Sequence, residues 1–159
     1  MGKRREGREA AVQYLYQLDL TGEKQPGDAV AFWALRSGPG KPPVPPKTRA
    51  FAEQLVQGVT SHLEEIDERI KKYTANYELN RIAAVDRNVI RVAIFELLHS
   101  PDVAPVIIIN EAIEIAKKFG AEKSGGFVNG ILDRIKQELT RPAREAAPQG
   151  AGVRGQESD

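Results

Sequence analysis

Apolar residues recur at three- and four-residue intervals along most of this chain, the spacing of one face of a helix. Ala11, Val12, Leu15, Tyr16 and Leu18 give residues 4–20 one broad apolar face. A short helix is expected over 28–35, with Asp28 as its N-cap. Phe51, Leu55, Val59, Leu63, Ile66 and Ile70 mark helical structure over 47–73, expected to break or bend at Gly58 or Ser61. Residues 83–99 are apolar on nearly every side (Val85, Val89, Ile90, Val92, Ala93, Ile94, Phe95, Leu97 and Leu98), which predicts a central, buried helix. Pro101 and Pro105, in SPDVAP, close that helix and open the next, over 105–119, with Ile108, Ala112, Ile115, Ala116 and Phe119 inward. Gly120 is expected to end it as a left-handed cap. Phe127, Ile131, Ile135 and Leu139 form the stripe of a last helix, from about 122 to 139. Residues 106–109, VIII, are strand-like by propensity but run without a turn into EAIEIAKKF. No alternating strand pattern and no internal repeat stands out. The predicted fold class is all-α, with about six or seven helices.

Two segments interrupt this pattern. Residues 36–46, RSGPGKPPVPP, hold five Pro and two Gly in eleven positions, which excludes a helix interior and predicts an extended connector. Residues 141–159, RPAREAAPQGAGVRGQESD, offer Val153 as their largest aliphatic side chain. That is too little apolar surface to offset ordering entropy, so a disordered tail is expected. The folded domain is expected to span 1–140, a single domain by length.

Composition narrows the function classes. The 23 Lys+Arg nearly balance 22 Asp+Glu, net +1, which excludes a globally basic, histone-like protein. There is no Cys, hence no disulfide framework, thiolate metal site or Cys nucleophile. The N-terminus lacks the apolar core of a signal peptide, and no apolar run approaches a membrane span. A soluble cytoplasmic protein without membrane contact is expected.

Catalysis is not expected. No HExxH, P-loop, GxGxxG or GxSxG motif occurs. His62 and His99 fall on different predicted helices without ligand-spaced partners, which fits solvated or capping roles rather than a metal or general base. Glu111 and Glu114 share a helix face, but no second constellation accompanies them. No cofactor or metal is expected.

The cations are unevenly distributed. Lys3, Arg4, Arg5 and Arg8 crowd the first eight residues, enough to neutralise several phosphates. Lys117, Lys118 and Lys123 surround Phe119-Gly120, just before the N-terminus of the last helix, whose free amides suit an anion. Phe127 follows the pair Gly125-Gly126, which costs a helix about 1 kcal/mol per Gly relative to Ala. A flat aromatic beside cations can stack an unpaired base. The plainer readings are that the basic run is a solvated arm and that Phe127 packs inward with its stripe. On the residues alone, RNA binding is one candidate among several.

Residues 106–133 read VIIINEAIEIAKKFGAEKSGGFVNGILD. They resemble the NusB family of bacterial transcription antitermination factors, whose pattern is roughly INEAIELAKxFG, a short gap, then FVNGVLD. RREGREAAVQYLYQLDL is similar to the family's opening RxxARExAVQxLYxxD, and RIAAVDRNVIRVAIFELL to its central VERxILRxAxYELL. The resemblance covers about residues 3–140.

It implies two packed helical sub-bundles and a non-enzymatic function. Such a protein pairs with NusE (ribosomal protein S-ten) and binds the single-stranded boxA element of nascent ribosomal RNA. It then helps assemble an antitermination complex on RNA polymerase with other Nus factors. Carried over residue by residue, Arg4, Arg5 and Arg8, with Lys3 beside them, are expected to contact phosphates, and Gln13 to reach RNA. Lys117, Lys118, Lys123 and Phe127 are expected to contact RNA, with Phe119 mainly packing. Tyr16 and Asp86 are expected on the NusE side. Asn129 is expected as a structural hydrogen-bonder, and Asn110 and Glu111 as braces of a helix start.

The chain also departs from the pattern. Lys123 stands where a polar or acidic residue is common, and Gly126 where a cation is. The connector 36–46 looks peculiar to this chain. Two other readings stand beside this one: an RNA-targeting domain of a ribosomal RNA methyltransferase, and a helical adaptor that binds protein only. Homodimerisation through an exposed apolar face over 11–18 is the remaining partner expectation.

Overall fold

The computed structural model describes residues 2–23, 26–27, 29–74 and 78–146. Among these are seven α-helices and no strand: α1 (Gly2–Thr21), α2 (Val30–Ser37), α3 (Pro46–Ser61), α4 (Leu63–Lys72), α5 (Ala84–His99), α6 (Pro105–Phe119) and α7 (Ser124–Ala146), with a 3-10 turn at Leu79–Arg81. α1 lies against α3, with α2 laid over them through a Tyr14–Phe32 ring stack. α6 and α7 pair against α5, and α4 packs on α5 and reaches Glu138 of α7 through Arg69 and Lys72. α5 thus touches α1, α3, α4, α6 and α7, and both sub-bundles share it. Its buried Val89, Ile90, Val92, Ala93 and Ile94 explain why its sequence is apolar all round.

The helix boundaries have local causes. Pro45 is extended and Pro46 opens α3, where a missing N–H costs nothing. α4 carries Glu64 and Glu65 in its first turn and Arg69, Lys71 and Lys72 in its last, matching the helix dipole, and buries only Ile66 and Ile70. The break between α3 and α4 falls at His62, directly after Ser61. Gly58 lies inside α3, where an added Cβ would meet the Phe95 ring, within 2.6 Å of Cε2. It lets α3 approach α5.

Some sequence expectations are corrected. Gly120 is extended (φ −99°), not left-handed. Its necessity is spatial, because a Cβ there would lie 2.7 Å from the Ala116 carbonyl oxygen and 2.8 Å from Ser124 Cβ. The 11–18 face is not exposed: Ala11, Val12, Leu15 and Leu18 are core, and only Tyr16 of that set reaches the surface. The backbone of α7 continues through 141–146, past the expected boundary at 140. The rest of the expected tail, 147–159, and the proposed Asp28 cap lie outside the described residues.

Buried polar networks join the layers. Arg8 forks onto Glu96, Nε to Oε1 at 2.7 Å and Nη2 to Oε2 at 2.9 Å, with 6 % and 1 % of the two side chains exposed. Asp19 accepts from Arg87 Nη2 (3.0 Å) and Asn88 Nδ2 (2.9 Å), while Arg91 forks onto Asp67 at 2.9 and 3.0 Å.

These pairs set an acid limit. Burial works against ionisation of Asp19, but hydrogen bonds from Asn88 and Arg87 and the field of Arg91 outweigh it and hold the carboxyl below its ordinary value. The Arg5 hydrogen bonds do the same for Glu111, against burial. A carboxyl held low in the folded state contributes stability above its unfolded pKa, and that stability fades as pH falls through the folded value. Urea midpoints are therefore expected to stay level from neutral pH to about pH 5 and to fall below about pH 4. Asp19→Asn should lower the plateau and flatten that decline.

Candidate nucleic-acid interface

Three lysines converge on the turn between α6 and α7. Lys117 and Lys118 end α6, where cations match the helix dipole. Lys117 is well exposed, 3.6 Å from Glu114. Lys118 is also exposed, reaches both Glu9 carboxylate oxygens at 3.2 Å, and lies 5.2 Å from the Phe119 ring centroid. Lys123 is exposed and has no side-chain partner among the described residues.

The turn itself is held by the Ala121 N–H, which donates to Ser124 Oγ at 2.9 Å. α7 begins at Ser124, directly after Lys123, and the Ser124 N–H is taken by the Ala121 carbonyl at 3.0 Å. Gly125 is buried under Lys117, where a Cβ would lie 3.0 Å from Lys117 Cγ, whereas Gly126 faces open space. Of the Gly-Gly pair, only Gly125 is therefore closely approached. Phe127 and Phe119 are both half-buried against the core, each with one part outward. Phe127 is thus both a packing residue and a surface residue.

The N-terminal basic run divides. Arg4 is exposed, with its guanidinium 4.3 Å from the Phe51 ring centroid. Arg5 forks onto Glu111, Nε to Oε1 and Nη2 to Oε2 both at 2.8 Å. Arg8 is 5 % exposed and held by Glu96. That geometry does not fit the phosphate contact expected of Arg8, which is buried on Glu96, whereas Arg5, its side chain 31 % exposed, keeps Nη1 outside its fork. Glu111 braces α1 against α6 instead of capping its own helix. The side chain of Lys3 lies outside the described residues.

The remaining positions sort by exposure. Gln13 is half-buried and accepts a hydrogen bond from Arg36. Tyr16 is 38 % exposed, so it can meet a partner. Asp86 is 8 % exposed, with one carboxylate oxygen buried and unpaired, which does not fit a residue facing NusE. Asn110 and Asn129 are exposed and show no side-chain hydrogen bond among the described residues, so Asn129 is not the brace expected of it.

Sequence reading missed two associations. Phe51, on α3, seats the Arg4 guanidinium, a pairing 47 positions apart that no local spacing signals. His62 and His99 sit ring to ring with centroids 4.4 Å apart, beside Phe95, although their helices are separate in sequence. No group of three or more candidate metal ligands occurs among the described residues. No helix there is long and apolar enough to cross a membrane.

Comparison with known proteins finds relatives over most of the chain. The model of the NusB family matches residues 5–137. A transcription antitermination protein NusB from Sorangium cellulosum is 44 % identical over 145 residues, covering 91 % of this chain and 99 % of its own. Among solved structures, T. maritima NusB superposes with a TM-score of 0.73 at 37 % identity, over 85 % of this chain and 91 % of that one. Antitermination factors NusB and NusE in complex with double-stranded RNA give 0.72 at 30 % identity, over 87 % and 98 %.

Proposed function

The chain belongs to the NusB family, and on that premise we propose that it acts as the RNA-binding half of a pair with NusE, holding boxA RNA during antitermination of ribosomal RNA transcription. The family is a regulatory one and not enzymatic. The observation that carries the reading is the α6–α7 turn, where the exposed Lys117, Lys118 and Lys123 flank the connection into α7 and a half-exposed Phe127 follows. Backbone phosphates meet the lysines, and an unpaired base stacks on Phe127. Arg4 extends the cationic surface along α1. Tyr16 is the NusE-facing residue in this reading, and Gln13 reaches RNA only by releasing Arg36. The working compartment is the cytoplasm, where nascent transcripts are made. The elongating RNA polymerase and other Nus factors complete the assembly.

Fluorescence anisotropy of labelled boxA RNA tests this, with the protein alone and with NusE, at two salt concentrations. A scrambled strand and a duplex serve as controls, the duplex because a solved relative holds double-stranded RNA. NusE-enhanced, sequence-selective binding that weakens with salt is expected. Phe127→Ala should cost about 1–3 kcal/mol of RNA affinity. If that variant lost stability alone and bound RNA unchanged, Phe127 would be a packing residue only. Absence of any RNA binding, with or without NusE, would overturn the reading.

A further inference from the structure

Along the outer side of α1 runs a cavity of about 720 Å3, walled by α2, the Pro-rich connector and the end of α6. That volume lies within the range of clefts that hold small organic ligands. Phe119 lines it and also belongs to the α6–α7 turn, so the groove continues the surface assigned to RNA. Tyr16, across from the connector on α1, supplies a second exposed aromatic.

The charges within the groove are not balanced. Lys118 is tied to Glu9, and Glu6 is the other carboxylate present. Arg36 donates to a neutral amide, Gln13, and its Nε is buried with no hydrogen-bond partner. Lys41, on the connector, is exposed and its amine has no partner among the described residues. Set against Glu6, Arg36 and Lys41 leave one net positive charge beside aromatic walls, which suits a polyanion carrying flat bases.

We propose that this groove takes the single-stranded RNA that flanks the segment bound at the α6–α7 turn, one base against Phe119 and its phosphate against Lys41 and Arg36, with Tyr16 at the rim left to NusE. The Pro-rich connector is then an RNA-binding element, held close to α1 by the half-buried Val44. The proposal rests on the RNA reading above and extends its footprint. Leu20 and Leu35, 70 % and 78 % exposed, also line the groove and would suit a protein cover, which the test separates.

The test compares two RNAs on the full chain with NusE: boxA alone, and boxA with a short oligouridine flank at one end or the other. Lys41→Ala is the variant, an exposed loop position whose loss leaves the core intact. Expected is an affinity loss of about fivefold for one flanked RNA, with its salt slope reduced by about one, and no change for boxA alone. Equal affinity of Lys41→Ala and the parent for both flanked RNAs would overturn the proposal while leaving the boxA reading standing. Failure of the parent protein to bind any RNA would overturn both. Loss of NusE affinity on Lys41→Ala or Leu35→Ala, with RNA binding unchanged, would make the groove a protein surface and also overturn it.

Discussion

Arg8→Ala is expected to lower folding stability by about 3–5 kcal/mol, because it strands the Glu96 carboxylate in the core. The fork between them joins α1 to α5, and neither side chain reaches water to compensate for the loss of its partner. Glu96→Ala should cost a similar amount for the mirror reason. Arg8→Lys should fail to restore stability, since an ammonium cannot supply two parallel N–H bonds to one carboxylate. The double replacement Arg8→Met with Glu96→Leu should recover most of the loss, as apolar side chains of similar volume often do for a buried pair. Urea unfolding of the four variants checks this. A cost below about 1 kcal/mol for Arg8→Ala would place the pair at the surface, where ion pairs are worth that little. RNA affinity of the folded double variant should be unchanged, because Arg8 is not on the outer face.

Gly58→Val is expected to cost about 3 kcal/mol, the upper end of ordinary overpacking. Any Cβ at this position lands on the Phe95 ring, and Phe95 is backed by His62 and His99, so the ring has little room to retreat. In an exposed helix, replacing Gly would instead raise stability by a few tenths of a kcal/mol to about 1 kcal/mol. The sign of the measured change therefore reports whether α3 and α5 are in close contact. Phe95→Ala in the Gly58→Val background should return part of the lost stability, although Phe95→Ala alone is destabilising. Thermal and urea unfolding of the two single variants and the double variant complete the cycle.

The fold was largely legible because helical periodicity is a local signal. The all-round apolar character of 83–99 announced a central helix, and α5 is in contact with five others. Pro105 marked a helix start by the same local logic, whereas Pro46, read as the end of the connector, is the first residue of α3. The site was only half legible. Charge counting placed Arg4, Lys117, Lys118 and Lys123 correctly at the surface. It failed for Arg8, since its carboxylate partner lies 88 positions away and nothing local announces a buried fork. Asp86 failed for a related reason: an acidic residue in a first helical turn looks solvated until its tertiary neighbours cover it. The resemblance to a family carried the motif positions but not their separation into buried braces and outward contacts. The same motif arginines look identical in sequence whichever role they serve.

The shared position of α5 bears on how the molecule opens. A helix that completes the core of both sub-bundles leaves neither able to detach while the other stays folded. Its amides should then exchange with solvent only through global unfolding, at one common free energy, while the α2 region and the ends of α1 and α7 exchange through local fraying. A protease cutting within residues 38–44 would leave two fragments still bound to one another through α5. The nicked protein should migrate as a single folded species until denaturant separates its pieces.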